Sequence, residues 1–528
     1  MRLSRRSFLK SVPATIAAAT LPTPAHSSGV FTELATTYQP LFGSGVGRDR
    51  AIEYTSDTLP SWHVVYAEDK RDSLETWIDN RDSRSVLSEH EPTRTATIVA
   101  SPADVGAGTL DRLRGQGLGG MSWIEAIDLN VQMGLVEPIT RLDDRDDTDE
   151  LLSVDRFERT LLRIQDAGVP SPQGVAFAEE APETTPAQVR RLLGFDYVSV
   201  DDSTVTIAVI DSGCNTVDGD VFGNTDRILP ASKNFVSGGT VESEGLGVLG
   251  DPNGHGSFVA SQIAANPSDN TFQGIASNCD LLICRALGDD GSGSTRDIID
   301  AVTYAADHDA DVICMSLGSP IYSAALDRAL AYAVGAGSIP VVAVGNDRQA
   351  TRWVASPASS EWAIGVGALT AEDPDDAQSA YFSNIGPQPG TTDLSNGETA
   401  DARPDVGAPG MEMRALVGRT TGSTREQVLS GTSMAAPIVA GTVGLLIASD
   451  SAYRGDLNAI RDRLESHSIA LPNVAQNETG AGMINAEALL TGSETDGQAD
   501  SMTDEAALRN EAYAALSNNQ GGLLTQLF

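Results

Sequence analysis

Four polar residues stand where a strand ends or a helix begins, and together they could carry out acyl transfer. Asp211 and Asn346 each close an apolar strand-like run, and His255 and Ser433 each open an apolar helix-like run. Side chains at the carboxyl ends of parallel strands converge on one edge of a sheet. A hydroxyl, an imidazole, a carboxylate and an amide are the parts of an activated serine nucleophile with an oxyanion donor. Each residue alone has an ordinary explanation as a cap or turn, so the hypothesis depends on their occurring together.

The segment around Ser433 has the composition of a crowded helix start. It reads Ser430-Gly431-Thr432-Ser433-Met434-Ala435-Ala436-Pro437, and small residues there allow close backbone approach. The N–H groups and positive dipole end of the predicted helix would favour an oxyanion beside Ser433. Pro437 is expected in the first turn, where its missing N–H costs nothing.

Residues 186–492 alternate strand and helix patterns, which predicts an α/β domain with a mostly parallel sheet and helices on both faces. The predicted strands are 205–210, 280–285, 311–317, 340–344 and 363–368, and the predicted helices are 256–265, 295–308, 323–336 and 433–448.

A smaller α+β module is predicted before it, over residues 62–133, in the order β-α-β-β-α-β. Its predicted elements are strands 62–67, 85–89, 95–100 and 121–131 and helices 70–80 and 103–114. Residues 134–185 are acidic and are expected to be a linker with one helix at 151–167, or alternatively a solvated cap on the next domain. Residues 493–528 form an acidic C-terminal tail.

The charge balance restricts the partners. There are 73 acidic and 35 basic residues, a net charge of −38, and the only lysines are Lys10, Lys70 and Lys233. Nucleic acid and anionic lipid require a basic face and are not expected as partners. The acidity fits either an ordinary acidic secreted protein or adaptation to high salt, and the scarcity of lysine favours adaptation to high salt, where charges are screened within about 3 Å.

The first 27 residues predict export. Arg5-Arg6 precede a weakly apolar run, and Ala25-His26-Ser27 offers a small-x-small cleavage site, as in a twin-arginine signal. No later apolar run approaches the length of a membrane span, so the mature protein is expected to be secreted and extracellular.

The four cysteines, Cys214, Cys279, Cys284 and Cys314, match no zinc-binding spacing. They are expected to be buried free thiols, with one disulfide as the alternative, and they are given no catalytic role.

Taken together, the motifs resemble those of the subtilisin family of serine endopeptidases, and in particular its secreted, halophilic, halolysin-like members. The motifs that show this resemblance are Asp211-Ser212-Gly213, Asn253-Gly254-His255-Gly256-Ser257, Asn346 and Gly431 to Pro437, in the order acid, histidine, serine. The resemblance implies that Asp211 orients His255, that His255 is the base for Ser433, and that Asn346 binds the oxyanion. It also implies protein or peptide substrates, and it makes the module at 62–133 similar to an inhibitory pro-domain that keeps a zymogen inactive.

The resemblance extends to substrate and metal binding. Gly291, Ser292 and Gly293, with Ser316, Leu317 and Gly318, match the segments that hold the substrate as an added strand. Asp220 matches a calcium ligand, so structural calcium is expected but no catalytic cofactor. The His-Pro-Asp that usually follows the catalytic aspartate is absent here. We expect a monomer that binds its own pro-domain, with a mature N-terminus near Gly134 or closer to Ala181.

Two other functions compete with this interpretation. An esterase or lipase would carry its serine in Gly-x-Ser-x-Gly and ahead of the acid and histidine, which Thr432 and Met434 beside Ser433 contradict. A non-catalytic peptide-binding or inhibitory protein of the same fold would have no need for all four chemical groups.

Overall fold

The computed structural model describes residues 61–106, 117–135, 175–176, 183–215, 219–223, 227–236, 248–268, 270–319, 322–348, 354–380, 382–386, 404–418, 426–472 and 474–493. The predicted export signal, the linker helix predicted at 151–167 and the tail beyond residue 493 lie outside these residues.

The N-terminal module is a four-stranded antiparallel sheet with strand order β2-β3-β1-β4. One face packs on a helix through Leu74 and Trp77, which bury Val64, Ile98 and Ile127. The predicted strand and helix order is confirmed as far as it is described, with only 102–105 seen of the second helix. The elements are β1 Ser61–Tyr66, α1 Arg71–Asp79, β2 Ser85–His90, β3 Thr95–Val99, α2 Pro102–Val105 and β4 Ile124–Leu129.

The chain then forms a further strand, β5 Gln132–Leu135, across the predicted start of the linker. This strand leaves the module and pairs with the second domain, as described below.

The second domain is built on a nine-stranded sheet whose main path runs β6-β15-β14-β13-β11-β7-β9-β8, with β16 beside β14. All its described pairs are parallel except β14 with β15. Its strands are β6 Val175–Ala176, β7 Thr206–Asp211, β8 Lys233–Asn234, β9 Asp280–Arg285, β11 Val312–Met315, β13 Ile339–Ala343, β14 Ile364–Leu369, β15 Ser379–Ala380 and β16 Val406–Pro409. The short strands outside that sheet are β10 Ser292–Ser294, β12 Leu317–Gly318, β17 Met413–Leu416 and β18 Glu426–Leu429.

Helices cover both faces of the sheet, as predicted. They are α3 Pro186–Leu192, α4 Gly219–Phe222, α5 His255–Ala264, α6 Thr295–Asp307, α7 Ala324–Ala336, α8 Thr432–Ser449, α9 Leu457–His467, α10 Gln476–Thr479 and α11 Ala486–Thr491. Ile207 and Val209 of β7 face the layer of α5 and α8, whereas Ala208 and Ile210 face the layer of α6 and α7. Because both faces are buried, the central strands are continuously apolar instead of alternating.

The expectation that no later apolar run has the length of a membrane span was wrong, because helix α8 is long and apolar enough by length and composition alone. However, 89% of that stretch is buried inside the fold. It therefore serves here as the central core helix, and its N-terminus carries Thr432 and Ser433 to the edge of the sheet.

Candidate active site

Asp211 and His255 form a buried pair at the carboxyl edge of the sheet. The Nδ1 atom of His255 lies 2.9 Å from Oδ1 and 3.1 Å from Oδ2 of Asp211, and the two side chains are 2% and 1% exposed. Asp211 also accepts a 2.7 Å hydrogen bond from the backbone N–H of Ser212. A carboxylate accepting from Nδ1–H fixes the tautomer that leaves Nε2 as an acceptor. Within the described residues, His255 Nε2 is buried without a hydrogen-bond partner, as a base awaiting a proton would be.

Close packing requires a glycine, Gly256, directly after the histidine. A Cβ at Gly256 would collide with the backbone oxygen of Gly213 and lie 3.2 Å from Asp211 Oδ1. Only a residue without a side chain lets the start of α5 come this close to the end of β7.

Asp251 is a buried carboxylate near this site that the sequence reasoning missed. Its Oδ1 accepts from Ser212 Oγ and Gly254 N at 2.9 Å each, and its Oδ2 accepts from Ser257 N at 2.8 Å and Ser257 Oγ at 2.6 Å. Ser212 Oγ in turn accepts from Gly256 N at 3.0 Å. Asp251 therefore clamps the first turn of α5, and with it His255, to the end of β7. An aspartate just ahead of a helix start is a capping signal that could have identified it.

We expect Asp251→Asn to lower kcat about tenfold and to destabilise the fold by about 1–3 kcal/mol, because the amide turns an NH₂ group toward buried donors. Steady-state kinetics on a peptide and thermal unfolding measure the two effects. Asp201→Asn is the matched control, since Asp201 accepts similar bonds from Ser203 in an exposed turn. Equal kinetics in the two variants would contradict the clamp.

Ser433 is tied to the sheet edge by an exchange of hydrogen bonds with Ser316. Ser433 Oγ donates to the Ser316 carbonyl at 3.3 Å, and Ser316 Oγ donates to the Ser433 carbonyl at 2.9 Å. The predicted place of Pro437 was wrong, because it lies inside α8 beyond the first turn. Since proline has no N–H to bond the carbonyl four residues earlier, the Ser433 carbonyl is released from the helix ladder and accepts from Ser316 instead.

The amide of Asn346 is oriented by Thr432. Its Oδ1 accepts from Thr432 N and from Thr432 Oγ1, both at 2.9 Å. A backbone N–H can only donate, so the oxygen must face Thr432 and Nδ2 must lie on the other side. That side is the backbone before Ser433, where a Cβ at Gly431 would lie 3.0 Å from Nδ2. Asn346 is thus fixed with its donor beside the start of α8.

The two predicted substrate-binding segments do hold an extended strand, which is part of this chain. Strand β5 lies antiparallel between β10 and β12, with Gly293 opposite Met133 and Leu317 opposite Leu135. Leu135 N donates to the carbonyl of Gly291 at 2.9 Å. Ser316, at the end of this cleft, is the residue bonded to Ser433. An extended peptide in the cleft therefore leads toward the Ser433 hydroxyl.

Metal binding has little support among the described residues. They contain no group of three His, Cys, Asp or Glu side chains that could hold a metal ion. The side chain of Asp220, the predicted calcium ligand, lies outside the described residues, so its role stays a prediction.

The four cysteines are buried free thiols, as predicted. Burial raises the pKa of the Cys284 thiol to about 12 and raises the pKa of the other three as well. Such thiols are uncharged near neutral pH and are poor nucleophiles.

A mostly parallel sheet lies between two helical layers, and one edge of the sheet carries Asp211, His255, Asn346 and Ser433. These features define a subtilisin-like α/β protein. Residues 202–487, more than half of the chain, match the sequence model of the subtilase family, and the chain belongs to that family.

Two curated relatives and one solved structure show the range of similarity. The chain is 40% identical over 197 residues to the thermophilic serine proteinase of Bacillus sp. (strain AK1), covering 37% of this chain and 43% of that protein. It is 31% identical over 300 residues to the halolysin-like extracellular serine protease Nep of Natrialba magadii, covering 55% and 48%. The crystal structure of fervidolysin from Fervidobacterium pennivorans, a keratinolytic enzyme related to subtilisin, superposes with a TM-score of 0.61 at 19% identity, covering 90% of this chain and 65% of that one. The matches thus span less than half the length of these two curated relatives, and the solved structure supports the fold.

Proposed function

We propose that this chain is a secreted serine endopeptidase that hydrolyses peptide bonds through Asp211, His255 and Ser433. The observation that carries the proposal is β5 between β10 and β12, because it places an extended peptide in a cleft that ends at Ser433. Main-chain pairing of this kind accepts many unfolded peptide sequences. Membership of the subtilase family and the serine proteases among its relatives support the same activity.

The proposed chemistry uses each group in turn. Ser433 Oγ attacks the peptide carbonyl while His255 Nε2 takes its proton, and Asp211 stabilises the imidazolium that forms. Asn346 Nδ2 and the N–H of Ser433 donate to the tetrahedral oxyanion. His255 then gives the proton to the leaving amine, which departs and leaves an acyl-enzyme on Ser433. Water, deprotonated by His255, releases the acyl group.

We further propose that the chain is made as an autoinhibited zymogen. On this proposal residues 62–133 are the pro-domain, 186–492 the catalytic domain, 134–185 the linker and 493–528 the tail. Support comes from the face of the module that lies on α6 and α7. There Asp128 Oδ2 accepts from Ser323 Oγ and Ala325 N at 3.0 Å each, which caps α7. The carbonyl of Val131 accepts from Thr295 N and Oγ1 at 2.9 and 2.8 Å.

The register of β5 suggests where the zymogen is cut. Leu135 lies opposite Leu317, the residue next to Ser316, and Ser316 is bonded to Ser433. The proposed scissile bond therefore follows Val136, which favours the N-terminal of the two maturation positions predicted from the sequence.

Expression of the full chain in high salt tests activity and processing together. We expect the chain to shorten itself, to begin at Glu137 by N-terminal sequencing, and to digest casein. A first mature residue near Ala181 would contradict the proposed bond, and a full-length chain inert toward casein would contradict the peptidase.

Acid should weaken the docked pro-domain through His63. His63 lies on the same face of β1 as Val65, which packs in the core of the second domain. It contacts Thr97 Oγ1 at 3.0 Å, faces Asn130 and Arg296, and burial lowers its pKa from 6.5 to about 3. A group whose pKa is lowered this way stays neutral when folded, so stability is lost as pH falls below 6.5.

His63 alone is expected to contribute a loss of about 2 kcal/mol between pH 7.5 and pH 5, measured as the difference in thermal unfolding between the full-length Ser433→Ala chain and the same chain carrying His63→Gln. Asp128 acts in the opposite direction, because burial raises its pKa to about 6 and its protonation favours the docked state between pH 6 and 3.8. The difference between parent and His63→Gln isolates His63. Parallel pH curves for the two would refute its role.

Export, salt adaptation and calcium complete the proposal. Residues 1–27 would direct twin-arginine export, in keeping with the extracellular relative. The net charge of −38 supports salt adaptation, and full activity after dialysis to low salt would count against it.

Calcium at Asp220 would be structural, and a melting temperature unchanged by chelator would refute the proposed calcium site. We propose a monomer that binds protein or peptide substrates.

The competing proposal is a peptide-binding protein without catalysis. The filled cleft alone is compatible with it, but simple binding does not require the buried Asp211–His255 pair.

A further inference from the structure

The feature that the proposed mechanism does not use is a fully buried ion pair two residues beyond Asn346. Arg348 and Glu478 are both 0% exposed and bonded through Nη2 and Oε1. We propose that Arg348 and Glu478 are positioning residues that hold the oxyanion-binding amide of Asn346 in place. This inference rests on the proposed function.

Both members of the pair are anchored further. Arg348 Nη1 donates to Ser379 Oγ of β15 at 3.2 Å. Glu478 Oε2 accepts from Ala475 N at 3.1 Å, at the start of α10. A buried ion pair often costs as much desolvation as its attraction returns. Stabilisation of the fold is therefore a weak explanation for this ion pair. A requirement for fixed geometry at Asn346 explains it better.

The backbone on both sides of Asn346 is held by hydrogen bonds. Asn384 N donates to the Gly345 carbonyl at 2.9 Å, and Asp347 N donates to Asn384 Oδ1 at 2.7 Å. Arg348 N donates to the Phe382 carbonyl at 3.2 Å. The segment that carries Asn346 is thus bonded to Phe382 and Asn384, and the guanidinium of Arg348 anchors its end to Ser379.

The side chain of Asn346 is held from the opposite direction. Thr432 holds Oδ1, and Gly345 N donates to Thr432 Oγ1 at 3.2 Å. Thr432 fixes the rotation of the amide, whereas the anchors along 345–348 fix the position of its Cα. An oxyanion donor must satisfy both conditions, because an error of about 1 Å can cost about 10²-fold in rate.

The test measures self-cleavage of the full-length chain, which is unimolecular and reports the chemical step without KM. Glu478→Gln is made in the parent and in the Asn346→Ala background. If the pair acts through Asn346, we expect self-cleavage to slow about tenfold in the parent and less than about twofold in the Asn346→Ala background. On a peptide substrate the processed Glu478→Gln enzyme should show the loss in kcat, with KM nearly unchanged.

Two further variants keep the result interpretable. Glu478→Gln leaves a buried guanidinium without its counter-ion, so the double variant Arg348→Met/Glu478→Leu provides the same comparison without an unpaired charge. Arg461→Met is the control, since it removes a different and only partly buried ion pair, the one with Asp405. It should lower the melting temperature and leave the self-cleavage rate unchanged.

Two results would overturn the inference while leaving the peptidase intact. One is the same slowing by Glu478→Gln in both backgrounds, and the other is a lower melting temperature with no slowing in the parent. Full self-cleavage by Asn346→Ala alone would instead refute the oxyanion role in the proposed function, and the inference with it.

Discussion

Ser433→Ala should leave the chain full length and lower peptide-bond hydrolysis by about 10⁶-fold, the loss known for removing the nucleophile of subtilisin itself. The variant loses the only atom proposed to attack the carbonyl, whereas Asp211 and His255 keep their pairing. The melting temperature should change little, because the bond of the hydroxyl to the Ser316 carbonyl is long, at 3.3 Å. Rates on a chromogenic peptide, with casein and the chain's own pro-region as protein substrates, measure the effect.

Ser430→Ala is the matched control for that loss. Ser430 is a buried serine three residues earlier whose hydroxyl bonds Glu412. Its removal should affect stability more than turnover. Self-processing by the Ser433→Ala chain at the parent rate would contradict the assignment of the nucleophile.

Asn346→Ala should lower kcat by about 10²–10³, the range measured for the corresponding amide donor in subtilisin. The side chain binds the oxyanion only once the tetrahedral intermediate forms, so KM should stay within about twofold. The orientation imposed by Thr432 makes Asn346→Asp a demanding comparison, because a carboxylate keeps the acceptor and lacks the donor. We expect the aspartate variant to lose at least as much kcat as the alanine variant. Near-normal turnover in either variant would contradict the role of Asn346 in binding the oxyanion.

Much of the fold followed from the sequence because its signals are local. The central strands are apolar throughout and the core helices begin at small or capping residues, so the predicted bounds of β7, β9 and α6 lie within one residue of the observed ones. The four chemical residues could be placed because each ends or begins such an element.

The features that were missed depend on contacts between distant parts of the chain. The bond from Ser212 to Asp251 joins residues 39 apart, and the role of Pro437 depends on Ser316, 117 residues before Ser433. The path of β5 into the cleft cannot be read from its four residues, since a segment as short as Gln132–Leu135 does not show which strands it will pair with. Such contacts carry no periodic signal in one sequence.

Covalent labelling of the self-processed enzyme with a fluorophosphonate tests the central claim most directly, because that reagent reacts with a serine activated by a neighbouring base. We expect one adduct, mapped by peptide mass spectrometry to Ser433, formed in the parent and lost in full-length His255→Ala. We also expect the Asn346→Ala enzyme to label more slowly. An adduct on another residue, or equal labelling with and without the His255 imidazole, would contradict it.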